Sequence, residues 1–134
     1  MGQPLNGKTA RDVMRAQFLS VEPEASVADA VRLMNERNAG AVVVQSAIKD
    51  MVGIFTERDL LRRVVGGAKD PVRTRVKDVM TTNVVCAQAE DDAWELLRVM
   101  IEANFRHLPV MDGRQLIGMV SLKEFCRSMI REIG

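Results

Sequence analysis

Residues 53–59 read Gly53-Ile54-Phe55-Thr56-Glu57-Arg58-Asp59, and residues 118–124 read Gly118-Met119-Val120-Ser121-Leu122-Lys123-Glu124. In both segments a glycine and two apolar residues lead to a hydroxyl side chain, and an acidic side chain follows three positions later. This order is typical of a buried strand that runs into a helix, because a hydroxyl and an acid at this spacing form a helix-capping pair. The recurrence indicates an internal duplication.

The duplication extends far upstream of these two segments. The matched pairs are Asp12-Val13-Met14 with Asp78-Val79-Met80, residues 27–34 with 93–100, and residues 40–44 with 106–110. The middle pair has the apolar spacing of amphipathic helices, and the last pair predicts strands buried on both faces. Beyond these strands the offset falls from 66 to 65 residues, which places a one-residue deletion in the second hairpin turn, at Asp112-Gly113.

Each copy is predicted to run strand, helix, strand, hairpin, strand, helix. The predicted boundaries are opening strands at 19–22 and 84–87, helices capped by Ser26 and Asp91, and closing helices at about 58–65 and 123–133. The fold class is therefore α/β (α+β), with βαββα repeats at residues 8–66 and 74–134 and a linker at 67–73. Neither half can cover both faces of a three-stranded sheet, so we expect sheet-to-sheet packing about a pseudo-twofold axis, with clefts between the halves.

Composition excludes several classes of function. The chain has 134 residues, 47% hydrophobic residues, 4% aromatic residues and a net charge of +1, which fits one soluble globular module without a nucleic-acid surface. It has no apolar run near the ~20 residues of a spanning helix and no secretion signal, so we expect a cytoplasmic protein without a membrane partner. One histidine, two unclustered cysteines and scattered carboxylates provide neither a catalytic set nor a metal site.

The ordered motifs resemble a tandem pair of cystathionine β-synthase (CBS) domains, also called a Bateman module. The resemblance covers nearly the whole chain and is carried by the two Asp-Val-Met triplets, the doubled glycine-to-acid segment, and Arg106-His107-Leu108-Pro109-Val110. It implies a non-catalytic regulatory module without a cofactor, whose clefts bind AMP, ADP, ATP or a related adenosyl compound. It also implies a disc-like homodimer and an effector protein that this sequence does not identify.

Thr56, Arg58 and Asp59 are the predicted centre of the ligand site. Thr56 stands where a strand enters a helix, and free backbone N–H groups at such a place favour a phosphate. The Arg58 guanidinium suits phosphate oxygens, and the Asp59 carboxylate can accept both hydroxyls of a ribose. The resemblance assigns the same roles to these three positions.

Further contacts are predicted from both copies. Arg106 and His107 are expected to contact phosphate or to form the floor between the clefts, because burying a charged arginine at a strand edge is costly without an anion. This positive charge favours a phosphorylated ligand over S-adenosylmethionine. The base is expected in an apolar slot lined by Ile54, Thr82, Val84 and Phe105.

A second, weaker site is predicted from Ala39, Gly40, Ser121, Lys123 and Glu124. Thr-x-x-Asp and Ser-x-x-Glu are also capping-box sequences, and the longer Glu124 side chain fits that structural role better than Asp59 does. We therefore expect one dominant nucleotide site for each chain. The alternative function is a ligand-independent module for dimerisation or protein interaction.

Overall fold

Each copy of the repeat forms one mixed three-stranded sheet, as the duplication predicts. The computed structural model describes residues 4–133. The first sheet contains β1 (Ser20–Val21), β2 (Ala41–Gln45) and β3 (Met51–Thr56), and the second contains β4 (Ala87–Gln88), β5 (His107–Asp112) and β6 (Gln115–Ser121). In both sheets the opening strand pairs parallel with the middle strand, which pairs antiparallel with the last.

The central helices of the two copies match, but the first and last helices of the copies differ in type. The described helices are α1 (Ala10–Val13), α2 (Val27–Arg37), α3 (Glu57–Asp59), α4 (Ala93–Ala103) and α5 (Leu122–Ile133), with a π-helix at Leu60–Val65 and a 3-10 helix at Val76–Asp78. Asn38 and Asn104 end α2 and α4 in the left-handed conformation, which asparagine adopts more readily than most residues. The closing helix is a π-helix in one copy and an α-helix in the other.

Several predicted boundaries differ from the observed ones. Ser26 caps α2 as predicted, since its side chain accepts a hydrogen bond from the Asp29 N–H, but Asp91 does not cap α4. The capping oxygen comes from Asp92, which accepts from the Glu95 N–H at 3.0 Å, whereas Asp91 accepts from the Gln88 N–H at 2.8 Å. The strand predicted at 84–87 begins only at Ala87, because pairing with the middle strand starts there.

The chain divides into two compact units that do not coincide with the two sequence repeats. The first unit consists of residues 18–84, and the second consists of residues 4–17 together with residues 85–133. The predicted repeats at 8–66 and 74–134 therefore describe the duplication, whereas packing exchanges their beginnings. Residues 4–17 and 67–84, which include the first residues of each repeat and are called the leading segments below, belong to the unit that contains the rest of the other repeat. Gly134, the last residue of the predicted second repeat, lies outside the described residues.

Apolar side chains explain why the leading segments belong where they do. Leu5, Ala10 and Val13 are at most 6% exposed and belong to the core of the second unit, which also contains Phe125. The buried Val76 and Val79 belong to the core of the first unit, around Phe55. Each leading segment thus supplies part of a core that its own repeat does not contain.

Each leading segment also pairs with the last strand of its unit. Thr81 and Ile54 exchange backbone hydrogen bonds of 3.0 and 2.9 Å, and Arg15 and Met119 exchange equivalent bonds of 2.9 and 3.0 Å. Because Arg15 precedes Thr81 by the same 66 residues that separate the repeats, these pairs occupy matching positions. The pairing places both segments beside the strand-to-helix corners at which the predicted ligand residues lie.

Protonation of Asp12 is expected to loosen α1. The Thr9 backbone N–H donates to Asp12 Oδ2 at 2.9 Å, and this bond lowers the pKa of the Asp12 carboxyl below its ordinary value of 3.8. A lowered pKa means that the bond stabilises the fold above pH 3.8 and that its contribution disappears as the pH falls through the folded-state pKa. The Thr9 amide resonance should titrate in this acid range, and an unchanged titration in Asp12→Asn would contradict the assignment.

Candidate functional site

Thr56 and Asp59 form a complete capping box at the corner between β3 and α3. The Thr56 backbone N–H donates to Asp59 Oδ2 at 3.0 Å, and the Asp59 N–H donates to Thr56 Oγ1 at 3.2 Å. The Thr56 hydroxyl donates in turn to Asp59 Oδ2 at 3.2 Å. Helix capping, which we expected mainly at Ser121 and Glu124 of the second copy, is therefore complete in the first copy. The capping bonds fix the Asp59 carboxylate in place.

Two residues outside the predicted set complete the surroundings of Asp59. The Thr81 hydroxyl donates to Asp59 Oδ1 at 3.0 Å, and Arg63 Nε lies 3.6 Å from the same oxygen. Arg63 also donates through Nη1 to the Met80 carbonyl at 2.8 Å. Asp59 is only 6% exposed, so these partners replace water around a buried charge.

Sequence reasoning could have found one of these two residues. Arg63 follows Asp59 by four positions, a spacing at which opposite charges on a helix meet. Thr81 is separated from Asp59 by 22 residues, and only the pairing of its segment with β3 brings the two together. No local spacing in the sequence indicates that contact.

The predicted site residues divide between the two units. The first unit holds Ala39, Gly40, Ile54, Thr56, Arg58, Asp59, Thr82 and Val84, and the second holds Phe105, Arg106, His107, Ser121, Lys123 and Glu124. The structure brings Ile54 next to Thr81 by backbone pairing, with exposed Thr82 following in the chain and half-buried Val84 close behind. The contributions of Phe105, Arg106 and His107 to a shared site stay predictions.

Arg58 is half-buried on α3, and its guanidinium makes no hydrogen bond or ion pair within residues 4–133. An arginine without an internal partner beside a buried carboxylate has its donors available for an external anion. Gly40 lies at the same corner, where its carbonyl accepts a 3.0 Å bond from the Glu57 N–H. Within the part of the chain that the structure describes, Arg58 therefore needs to leave no other partner to meet a ligand.

Arg106 is not buried, which contradicts the prediction of a buried arginine at a strand edge. Arg106 is exposed and lies just before β5, so no buried charge needs an anion to compensate it. Its carbonyl accepts a 3.2 Å bond from the Leu122 N–H, which matches the Gly40 bond of the first unit. His107 is half-buried and begins β5 opposite Ser121. Arg106 can still meet a phosphate from its exposed position.

The corner between β6 and α5, the second corner, surrounds its acidic residue with different charged groups. Ser121 Oγ accepts the Glu124 N–H at 3.3 Å, but the Glu124 carboxylate closes no capping box among the described residues. Its Oε1 lies 3.7 Å from Arg15 Nε and 3.4 Å from Arg127 Nη1. The interpretation of Glu124 as a capping acid is therefore wrong, because two arginines hold this buried side chain instead. Lys123 is exposed.

Neither a metal site nor a membrane-spanning helix occurs in the part of the chain that the structure describes. Residues 4–133 contain no group of three or more His, Cys, Asp or Glu side chains placed to hold a metal ion. No helix among those residues has the length and apolar character needed to cross a bilayer.

The chain matches the family model described as CBS domain twice, at residues 10–66 and 76–131. A candidate signal-transduction protein with CBS domains from Burkholderia ambifaria MC40-6 is 32% identical, with a TM-score of 0.88 over 95% of this chain and 97% of that one. The hexameric CBS-CP12 protein from bloom-forming cyanobacteria is 28% identical, with a TM-score of 0.80 over 92% and 73% of the two chains.

A curated relative is similar over most of this chain. The mitochondrial CBS domain-containing protein CBSX3 of Arabidopsis thaliana is 30% identical over an alignment of 135 residues, gaps included, that covers 92% of this chain. The match covers 66% of that protein, so the chain spans just under two thirds of its length.

Proposed function

The chain belongs to the CBS-domain family, and on that premise we propose that it is a regulatory module that binds AMP, ADP or ATP at the Thr56–Asp59 corner of the first unit. The observation that carries the proposal is that one short helix bears both the buried Asp59 carboxylate and Arg58, whose guanidinium has no bonding partner within residues 4–133. A carboxylate for a ribose and a guanidinium for a phosphate are the two recognition groups that a nucleotide needs.

The surroundings of this corner fit the other parts of a nucleotide. Thr56 offers a hydroxyl beside Asp59, and the segment from Thr81 to Val84 runs beside the edge of β3 at Ile54. Backbone groups and apolar side chains there suit an adenine base, which needs hydrogen bonds at its edge and apolar contact on its faces. The roles predicted for Phe105, Arg106 and His107 in base and phosphate recognition belong to the same proposal.

Ligand binding would act by shifting the populations of different arrangements of the module, which an effector protein then recognises. Self-association as a homodimer is part of the same proposal. Leu61, Val65 and Ile130 are 64–65% exposed and offer apolar surface for it, and one similar structure is named as hexameric. The proposed function includes no catalytic role for this chain.

Asp59→Asn is expected to weaken nucleotide binding at least tenfold, because the amide keeps the shape of the side chain and loses its charge. Calorimetric titration of purified protein with AMP, ADP and ATP measures the effect. Glu124→Gln makes the same change at the other corner and should alter binding less than threefold. Equal losses in the two variants would contradict the choice of the first corner.

The rival function is a ligand-independent interaction module, and the complete set of internal partners around Asp59 favours it. A thermal scan separates the two functions. A ligand at 100 times its Kd stabilises the folded protein by about 2.7 kcal/mol, which raises the melting temperature by several degrees. No upshift with any of the three nucleotides at millimolar concentration would leave the interaction module as the better description.

A further inference from the structure

We propose that the Thr81 hydroxyl competes with a ribose hydroxyl for the same oxygen of Asp59, so that Thr81 sets nucleotide affinity. The inference rests on the proposed function and adds the regulation of the same site. It assigns a role to a residue 22 positions from Asp59 in sequence that touches it through a single 3.0 Å bond.

Most acceptor positions of Asp59 are already filled. A carboxylate has about four lone-pair positions. Oδ2 accepts from the Thr56 N–H and the Thr56 hydroxyl, and Oδ1 accepts from the Thr81 hydroxyl and faces Arg63 Nε. With Asp59 6% exposed, little of the carboxylate remains open to an incoming group. A ribose that donates two hydroxyl bonds must therefore replace at least one donor that is present.

The side-chain hydroxyls are the donors that can leave. The Thr56 N–H belongs to the backbone, and the Arg63 guanidinium is anchored by its 2.8 Å bond to the Met80 carbonyl. The Thr81 hydroxyl needs only a rotation about one side-chain bond, while the backbone bonds to Ile54 hold the residue in place. Exchange of one hydroxyl for another keeps Asp59 fully satisfied, and the lost Thr81 bond is subtracted from the binding free energy.

At the second corner a charged group, and not a hydroxyl, lies beside the equivalent carboxylate. Arg15 occupies the position equivalent to Thr81, and its Nε lies 3.7 Å from Glu124 Oε1. A neutral ribose hydroxyl that displaced this guanidinium would break an ion pair, which costs more than exchanging one hydroxyl for another. The competition therefore predicts weaker nucleotide binding at the second corner, independently of the length of the Glu124 side chain.

Thr81→Val tests the competition, because valine keeps the branched shape and removes the hydroxyl. Titration calorimetry with AMP, ADP and ATP should give a Kd at least about tenfold lower than that of the natural protein, which is the fold-change for one lost competing hydrogen bond to a charged group. Thr81→Ser keeps the hydroxyl and should bind within twofold of the natural protein. Thr81→Ala is a second hydroxyl-free variant if the valine variant does not fold.

Denaturation provides an independent readout. Without nucleotide, Thr81→Val should be less stable than the natural protein, because a buried carboxylate has lost a donor, and saturating nucleotide should narrow that gap. If the natural protein binds nucleotide and the hydroxyl-free variants bind equally or more weakly, the competition is refuted and the proposed function stands. If neither the natural protein nor any variant binds, the proposed function fails and the inference with it.

Discussion

Deletion of residues 1–17 is expected to unfold the second unit, at the far end of the chain, and to leave the first unit folded. Leu5, Ala10 and Val13 are nearly or completely buried in the core of the second unit. Full burial of the leucine and the valine contributes about 1.5–3 kcal/mol each. The Arg15–Met119 backbone pair adds two hydrogen bonds. This sum is of the same order as the ~5–15 kcal/mol stability of a whole domain.

Hydrogen exchange with mass spectrometry measures this effect by region. Peptides from residues 85–133 should lose protection in the truncated protein, and peptides from residues 18–84 should keep it. Val13→Ala and Val79→Ala form a matched pair with an expected cost of about 2 kcal/mol each, the first in the second unit and the second in the first unit. Loss of protection confined to residues 18–84 after truncation would show that the assignment of the leading segment is wrong.

Gly118→Val is expected to destabilise the second unit by about 3 kcal/mol, because it combines overpacking with loss of backbone pairing. A side chain at Gly118 would begin 2.5 Å from Met14 Sδ and 2.6 Å from the Arg15 carbonyl, which belongs to the backbone and cannot rotate away. The leading segment would have to move off β6. Urea denaturation followed by far-ultraviolet circular dichroism measures the change.

Gly53→Val makes the same change in the first unit. The new side chain would begin 2.5 Å from Met80 Sδ and 2.9 Å from the Thr81 carbonyl, so it should also move Thr81 away from Asp59. Gln115→Val adds an apolar side chain at an exposed position of β6 and provides the control. Midpoints for the two glycine variants no lower than that of the control would show that the leading segments do not need this close approach.

The fold could be predicted from the sequence because each local signal was repeated. The spacing of apolar residues in α2 and α4 gives both helices, and Asn38 and Asn104 end them in the same way. The assignment of the leading segments could not be predicted. Val13 and Val79 are recognisable as apolar residues, but their pattern shows only that they are buried and not which sheet covers them.

The candidate site follows the same division. The Thr56–Asp59 pair is three residues apart, so its geometry is local and its sequence pattern indicates it. The Thr81–Asp59 contact depends on tertiary packing and has no local pattern. Arg106 was misjudged because the strand starts at His107, and a shift of one residue changed a buried position into an exposed one.

The division of the second unit into residues 4–17 and 85–133 also fixes an order of events during synthesis on the ribosome. The first unit is continuous in sequence, so it can complete its core once residue 84 has left the exit tunnel. Leu5, Ala10 and Val13 emerge earlier, and after the first unit is complete they must wait for roughly 50 further residues, which takes roughly 2–10 s at typical rates of translation. During that interval the beginning of the chain is an apolar segment whose partners have not yet been made.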